Sequence, residues 1–158
     1  MNGLFLNVML ALVWLAITGD VSVGNFAVGF GFGLLILFST RRVVGQPTYT
    51  HKVWRVLTLV LFFVRELVKA NLRVAYDVLT PGFQLRPGVV ALPLDARTDA
   101  EITLLANMIT LTPGTLSLDI SADRRVLYLH VMYLDEDVDE FRRKIKDGFE
   151  RRILEVLR

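Results

Sequence analysis

Cysteine is absent from this 158-residue chain, which excludes disulfides, a thiol nucleophile and any cysteine-bound zinc or iron–sulfur site. Histidine is scarce: His51 and His130 lie far apart and form no ligand pair at a recognisable spacing. Lysine and arginine are missing before Arg41, and from Leu4 to Phe38 the only charge of either sign is Asp20. Without a basic start, and with a second apolar block where a polar mature region would begin, the N-terminal run does not read as a cleaved secretory signal. There is no P-loop, no dinucleotide fingerprint and no metal-ligand cluster. Ser117 lacks a G-x-S-x-G context, and His130 falls in the middle of an alternating strand pattern that accounts for it structurally. Catalytic residues, cofactor ligands and metal ligands are therefore all expected to be none, and the chain does not read as an enzyme. The formal net charge is +2, with bases and acids interleaved, so no nucleic-acid partner is indicated.

What is present is apolar residues, 53% of the chain. As one helix, Leu4 to Phe38 would reach roughly 50 Å, beyond the roughly 30 Å hydrocarbon core of a bilayer. It must turn back, and Thr18 to Asn25 collects the turn formers and the lone carboxylate. The expectation is a transmembrane helical hairpin, Leu4 to Ile17 and Phe26 to Phe38, occupying residues 1–40. The first arm is short for a span and implies some extension or local bilayer thinning. Asp20 at the tip reads as a solvated turn residue, not a proton carrier. Gly29 and Gly33 make a G-x-x-x-G pair that lets another helix approach closely, and they are the expected subunit-packing residues.

Residues 41–84 form a basic connector and an amphipathic, membrane-associated helix. Arg41 to Thr50 reads as a polar connector with Gly45 and Pro47 as breakers. From Val53 a helix begins whose uncharged core, Val56 to Val64, is about half the length of a span. Glu66, Lys69, Arg73 and Asp77 then share one face, with Leu67, Val68, Leu72, Ala75 and Val78 over much of the rest. This helix is expected to lie in the cytoplasmic interface. Arg41, Arg42, Lys52, Arg55, Arg65, Lys69 and Arg73 would contact lipid headgroups. A third full span with snorkelling arginines is the alternative, and it would put the tail outside. The cations after the second arm point to a cytoplasmic N-terminus and C-terminal half.

After Thr80-Pro81-Gly82 the periodicity changes, and residues 85–158 read as a small cytoplasmic α+β domain, β-α-β-β-α, with helices on one side of a three-stranded sheet. Gly88 to Leu94 is a strand. Thr98-Asp99-Ala100-Glu101 is a capping box opening a helix through Ile109. Thr112, Pro113, Gly114 and Thr115 form a structural turn: proline fixes φ, glycine permits the turn and Thr115 starts the next strand. In that strand, Leu116, Leu118 and Ile120 are expected to face inward and Thr115, Ser117 and Asp119 outward. Ser121 to Arg124 turns the chain into a longer strand, Val126 to Leu134, pairing antiparallel. Asp135, Glu136, Asp137 and Asp139 sit where carboxylates complement a helix N-terminus, which explains them better than a metal site does. The stripe Val138, Phe141, Ile145, Phe149, Ile153 and Val156 should cover a sheet face.

The segment Ala106-Asn107-Met108-Ile109-Thr110-Leu111-Thr112-Pro113-Gly114-Thr115-Leu116-Ser117-Leu118-Asp119-Ile120, followed by Leu127-Tyr128-Leu129-His130, resembles the E subunit of the multisubunit Mrp-type (Mnh or Pha) sodium/proton antiporters of bacteria. The resemblance extends over essentially the whole chain. It implies an accessory subunit of a complex in the bacterial inner membrane that exchanges cytoplasmic sodium for external protons, supporting assembly or stability while the large subunits hold the ion path. The implied partners are other antiporter subunits and membrane lipids, with no small-molecule substrate bound by this chain. The competing reading is a membrane-anchored regulatory or sensing module acting on a transporter through its α+β tail.

Overall fold

The computed structural model describes residues 3–40, 47–80, 86–134 and 137–158. The chain divides into two compact units, Met1–Trp54 and Arg55–Arg158.

In the first unit, α1 (Gly3–Thr18) and α2 (Val23–Ser39) form the expected hairpin. Gly19 turns the chain at φ +70°, a region open to glycine at no steric cost. Ser22 caps α2, its hydroxyl accepting from the Asn25 N–H at 3.2 Å. The Asn25 side chain ties the tip together, donating to the Asp20 carbonyl (2.7 Å) and the Thr18 hydroxyl while accepting from Trp14 Nε1 (2.8 Å). Along the arms Ala11, Leu15 and Leu37 are buried, whereas Leu4, Phe5, Leu12, Val13, Leu35 and Phe38 are exposed. At 16 and 17 residues the arms reach about 24–26 Å. Among the described residues, no helix is both long and apolar enough to cross a membrane.

The third helix, α3, runs from Pro47 to Leu79, starting earlier than the Val53 expected from the sequence. Pro47 opens this helix instead of breaking the chain. At the first helical position its missing N–H costs nothing and its φ is already helical. The rest of the proposed connector, Arg41 to Gln46, and Pro81-Gly82 lie outside the described residues.

The second unit contains β1 (Gly88–Pro93), α4 (Asp99–Leu111), β2 (Thr115–Ile120), β3 (Val126–Val131) and a C-terminal helix. That helix comprises α5 (Val138–Ile145), a π-helical turn (Lys146–Glu150) and α6 (Arg151–Leu157). The sheet order is β1-β3-β2, both pairings antiparallel. Val90, Leu92, Leu127, Leu129 and Val131 line the covered face. They meet Leu105, Met108 and Ile109 of α4 and Ile145, Phe149, Ile153 and Val156 of the C-terminal helix. Val138 and Phe141 pack on the edge of that core, completing the expected stripe. The acidic start of the helix is described only from Asp137, whose carboxylate accepts weakly from the Asp139 N–H.

Two expectations for the sheet fail. The strand after the hairpin ends at Val131, not Leu134. In β2 the facing is reversed: Leu116 and Leu118 are about half exposed, and Thr115 and Ser117 turn toward α4. The reason is hydrogen bonding to carbonyls in the second half of α4, each of which has a second lone pair besides the one used within the helix. The Thr115 hydroxyl donates to the Ile109 carbonyl (2.6 Å) and the Ser117 hydroxyl to the Ala106 carbonyl (3.0 Å). A register irregularity between Ser117 and Asp119 then lets Ile120 return to partial cover. The sheet face away from the helices carries Val89, Leu116, Leu118 and Tyr128.

Candidate functional site

Gly29 and Gly33 both face α1. A Cβ on Gly29 would lie 2.8 Å from Trp14, and one on Gly33 would run into the side-chain oxygen of Asn7, which is fully buried there. The helix that approaches these glycines closely is therefore this chain's own α1. Trp14 and Phe32 stack beside the contact with centroids 4.9 Å apart. Gly31, between them, meets nothing within 4 Å on its own face.

The basic residues expected at lipid headgroups have different surroundings. Arg41 and Arg42 lie outside the described residues, and Lys52 and Arg65 are exposed. Arg55 donates to the Glu155 carbonyl at 2.8 Å, and Lys69 pairs with Glu66 at 2.8 Å. The Arg73 guanidinium lies 4.0 Å from the centre of the Tyr133 ring, a cation–π geometry. The charged stripe of α3 thus turns toward the α+β layer. Its opposite face, with Leu57, Leu61, Val64, Val68, Leu72, Tyr76 and Leu79, is exposed, at the spacing of one continuous helical stripe.

Two features hold α3 on the layer. Leu59 enters the core, and the Phe62 ring meets Phe149 edge-on at 5.1 Å. Phe149 sits in the π turn, where Arg152 lies 4.2 Å from the Phe62 ring and donates to the carbonyls of Asp147 and Gly148. Arg152 thereby links the π turn to the Phe62 ring of α3.

The Thr112–Thr115 turn joins α4 to β2. The Thr112 hydroxyl donates to the Met108 carbonyl at 2.9 Å, Gly114 sits at φ +91°, and the Gly114 carbonyl accepts from the Met132 N–H at 2.8 Å. A Cβ on Gly114 would come within 3.0 Å of Tyr133.

Two buried carboxylates hold the loop between β1 and α4. Glu101 completes the capping box and accepts from the Arg97 and Thr98 N–H groups and from Arg158 Nε at 2.9 Å. The Arg158 hydrogen bond first, then the backbone donors, hold its carboxyl down at about 2 against an ordinary 4.5. The same contact raises the Arg158 guanidinium. Glu150 accepts from the Asp95 and Ala96 N–H groups at 2.6 and 2.8 Å, with Lys146 at 3.9 Å from its other oxygen. Glu101 was legible as part of a capping box. Glu150 and Arg158 were not, because their partners lie more than fifty residues away and carry no motif. Both sites are structural, and no group of three potential metal ligands occurs among the described residues. Ser117 and His130 likewise belong to the sheet, His130 lying opposite Val89 and Leu116.

A protein of this kind presents apolar helix faces to its surroundings and uses its buried carboxylates to fasten its own backbone. Residues 7–156 match the family model described as Na+/H+ ion antiporter subunit (MNHE), and the chain belongs to that family. It is 40% identical over 155 residues to the Na(+)/H(+) antiporter E subunit of Bacillus subtilis, covering 98% of both chains. It is 38% identical over 153 residues to the protein of the same name from Alkalihalophilus pseudofirmus, covering 97% of this chain and 96% of the relative. A chain in the structure of the Mrp complex from Dietzia sp. DQ12-45-1b is 30% identical with a TM-score of 0.50, covering 66% of this chain and 96% of that one. A chain of the membrane-bound sulfane sulfur reductase, an archaeal respiratory membrane complex, shares the fold, with a TM-score of 0.55 at 24% identity over 96% of each. The chain is thus a subunit of a multisubunit Na+/H+ antiporter, a transporter component.

Proposed function

We propose that this chain is an accessory subunit that supports assembly or stability of the antiporter and does not itself carry the ion path. The observation behind this reading is where ionisable groups are missing. From Leu4 to Phe38 the only one is Asp20, and it is exposed in the hairpin turn, hydrogen-bonded to Ser22. An ion path needs ionisable groups held within the spanning helices.

In this reading the short α1–α2 hairpin enters the bacterial inner membrane with local thinning around its arms. Both termini are cytoplasmic, and α3 lays its stripe from Leu57 to Leu79 on the lipid interface or on a neighbouring subunit. Of the described cations expected at headgroups, Lys52 and Arg65 are exposed and are the ones we assign that contact. Arg55, Lys69 and Arg73 serve mainly inside the Arg55–Arg158 unit.

Purification through a C-terminal tag from mild detergent, with partners identified by mass spectrometry, tests this. Recovery of several large hydrophobic antiporter subunits is expected, with loss of the whole complex when this chain is deleted. Recovery of the chain alone, stable and monodisperse, would overturn it.

A further inference from the structure

The Thr112–Thr115 turn lines a cavity of about 590 Å³ within the Arg55–Arg158 unit, inside the range of small-molecule sites, roughly 300–1,000 Å³. Among the described residues, Lys69 and Arg73 of α3 and Lys144 of α5 line it together with one carboxylate, Glu66. Phe62, Tyr133 and Phe141 supply an aromatic wall.

The turn sets this geometry. Gly114 brings the backbone against Tyr133, and Tyr133 carries the Arg73 guanidinium on its face. The Thr112 and Thr115 hydroxyls donate inward to helix carbonyls, so recognition of an anion falls to the three cations. A guanidinium carries five N–H donors in a planar fork matched to phosphate oxygens, and an ammonium adds a mobile point charge. The pairs Lys69–Glu66 and Lys144–Glu140, at 2.8 and 3.9 Å, span one helical turn near solvent. Such pairs are weak and yield to an anion that accepts from several donors at once.

We propose that this cavity binds a phosphate ester, with the phosphoryl group on Arg73, Lys69 and Lys144 and the organic part against the aromatic wall. An anionic phospholipid and a soluble organophosphate share that chemistry. The site lies within this chain and stands or falls independently of the assembly role, because it needs no other subunit.

The test uses the full chain in a non-ionic detergent. Native mass spectrometry reads retention of added phosphatidylglycerol against phosphatidylcholine, and titration calorimetry reads binding of glycerol 3-phosphate. Lys144→Gln removes a cavity cation from an exposed position, and Arg143→Gln removes the same charge one residue away, outside the cavity. Retention of phosphatidylglycerol over phosphatidylcholine, weakened about tenfold by Lys144→Gln and unchanged by Arg143→Gln, assigns a lipid. Saturable glycerol 3-phosphate binding with the same variant pattern, and no lipid adduct, assigns a soluble ester. No retention of either probe, or equal loss in both variants, overturns the site. Matching thermal midpoints for the two variants separate loss of binding from loss of fold.

Discussion

The α1–α2 hairpin and the α+β layer hold together by different means. In the layer, Leu92, Leu105, Leu129 and Ile153 are almost wholly covered between the sheet and its helices, so removal of apolar surface from water supplies the cohesion. The hairpin's outer surface is as apolar as its interior contact, with Phe5, Val13, Leu35 and Phe38 all exposed. Burying one leucine while exposing another gains little. What remains is close backbone approach at Gly29 and Gly33 and the hydrogen-bonded tip around Asn25, the devices helices use where the surroundings offer no hydrophobic drive.

That contrast breaks most sharply at Gly33. In Gly33→Leu the new side chain occupies the space of the Asn7 side chain, and neither helix backbone can give way without parting the Trp14–Phe32 rings. Overpacking costs about 1–3 kcal/mol and occasionally more, and the clash with a fully buried side chain puts this case at the upper end. The expected outcome is a large fall in the thermal midpoint of the detergent-solubilised chain, with loss of the near-ultraviolet dichroism of Trp14. A midpoint equal to that of the parent chain would show that the glycine contact does not hold the hairpin.

The corresponding break in the layer is electrostatic. Removing the Glu101 carboxylate strands the Arg97 and Thr98 N–H groups, so Glu101→Ala should cost about 1–3 kcal/mol by urea or thermal unfolding. Glu101→Gln sharpens the point through pH. The folded carboxyl titrates near 2 and the unfolded one near 4.5, so the unfolded chain takes up the proton first as pH falls. Its stabilisation is complete above about pH 5 and drains away as pH falls through 4.5 toward 2. Relative to the parent, Glu101→Gln should lose stability at neutral pH and show a shallower decline over that acid window. An unchanged slope would mean that the Arg158 pair contributes nothing in solution.

How much of this was legible in the sequence follows the range of each interaction. The capping box at Thr98–Glu101 and the apolar stripe from Val138 to Val156 involve neighbours within a few residues, and each occurs as expected. Alternation alone misassigned β2, because the carbonyls that draw Thr115 and Ser117 inward belong to α4 and outweigh the preference of Leu116 and Leu118 for cover. Glu150 resembles any helix-surface glutamate until Asp95 and Ala96 arrive from the other end of the domain. The glycine pair was legible as a close-approach motif, but the motif does not say which helix approaches, and here α1 does.

The smallest effect is expected at Gly31, and it is informative for that reason. This glycine shares a helix with Gly29 and Gly33 but opens onto space within its own chain. Gly31→Ala removes backbone freedom from the unfolded state and adds no clash, so the isolated chain should be unchanged or stabilised by up to about 1 kcal/mol. The same substitution read in the assembled antiporter separates two surroundings. If lipid covers this face, an added methyl group is accommodated and complex yield is unchanged. If a helix of another subunit sits against Gly31, the methyl group obstructs that contact, and yield falls although the isolated chain melts no lower than before. A lower midpoint in the isolated chain would instead mean that α1 and α2 pack through a wider face than Gly29 and Gly33 define.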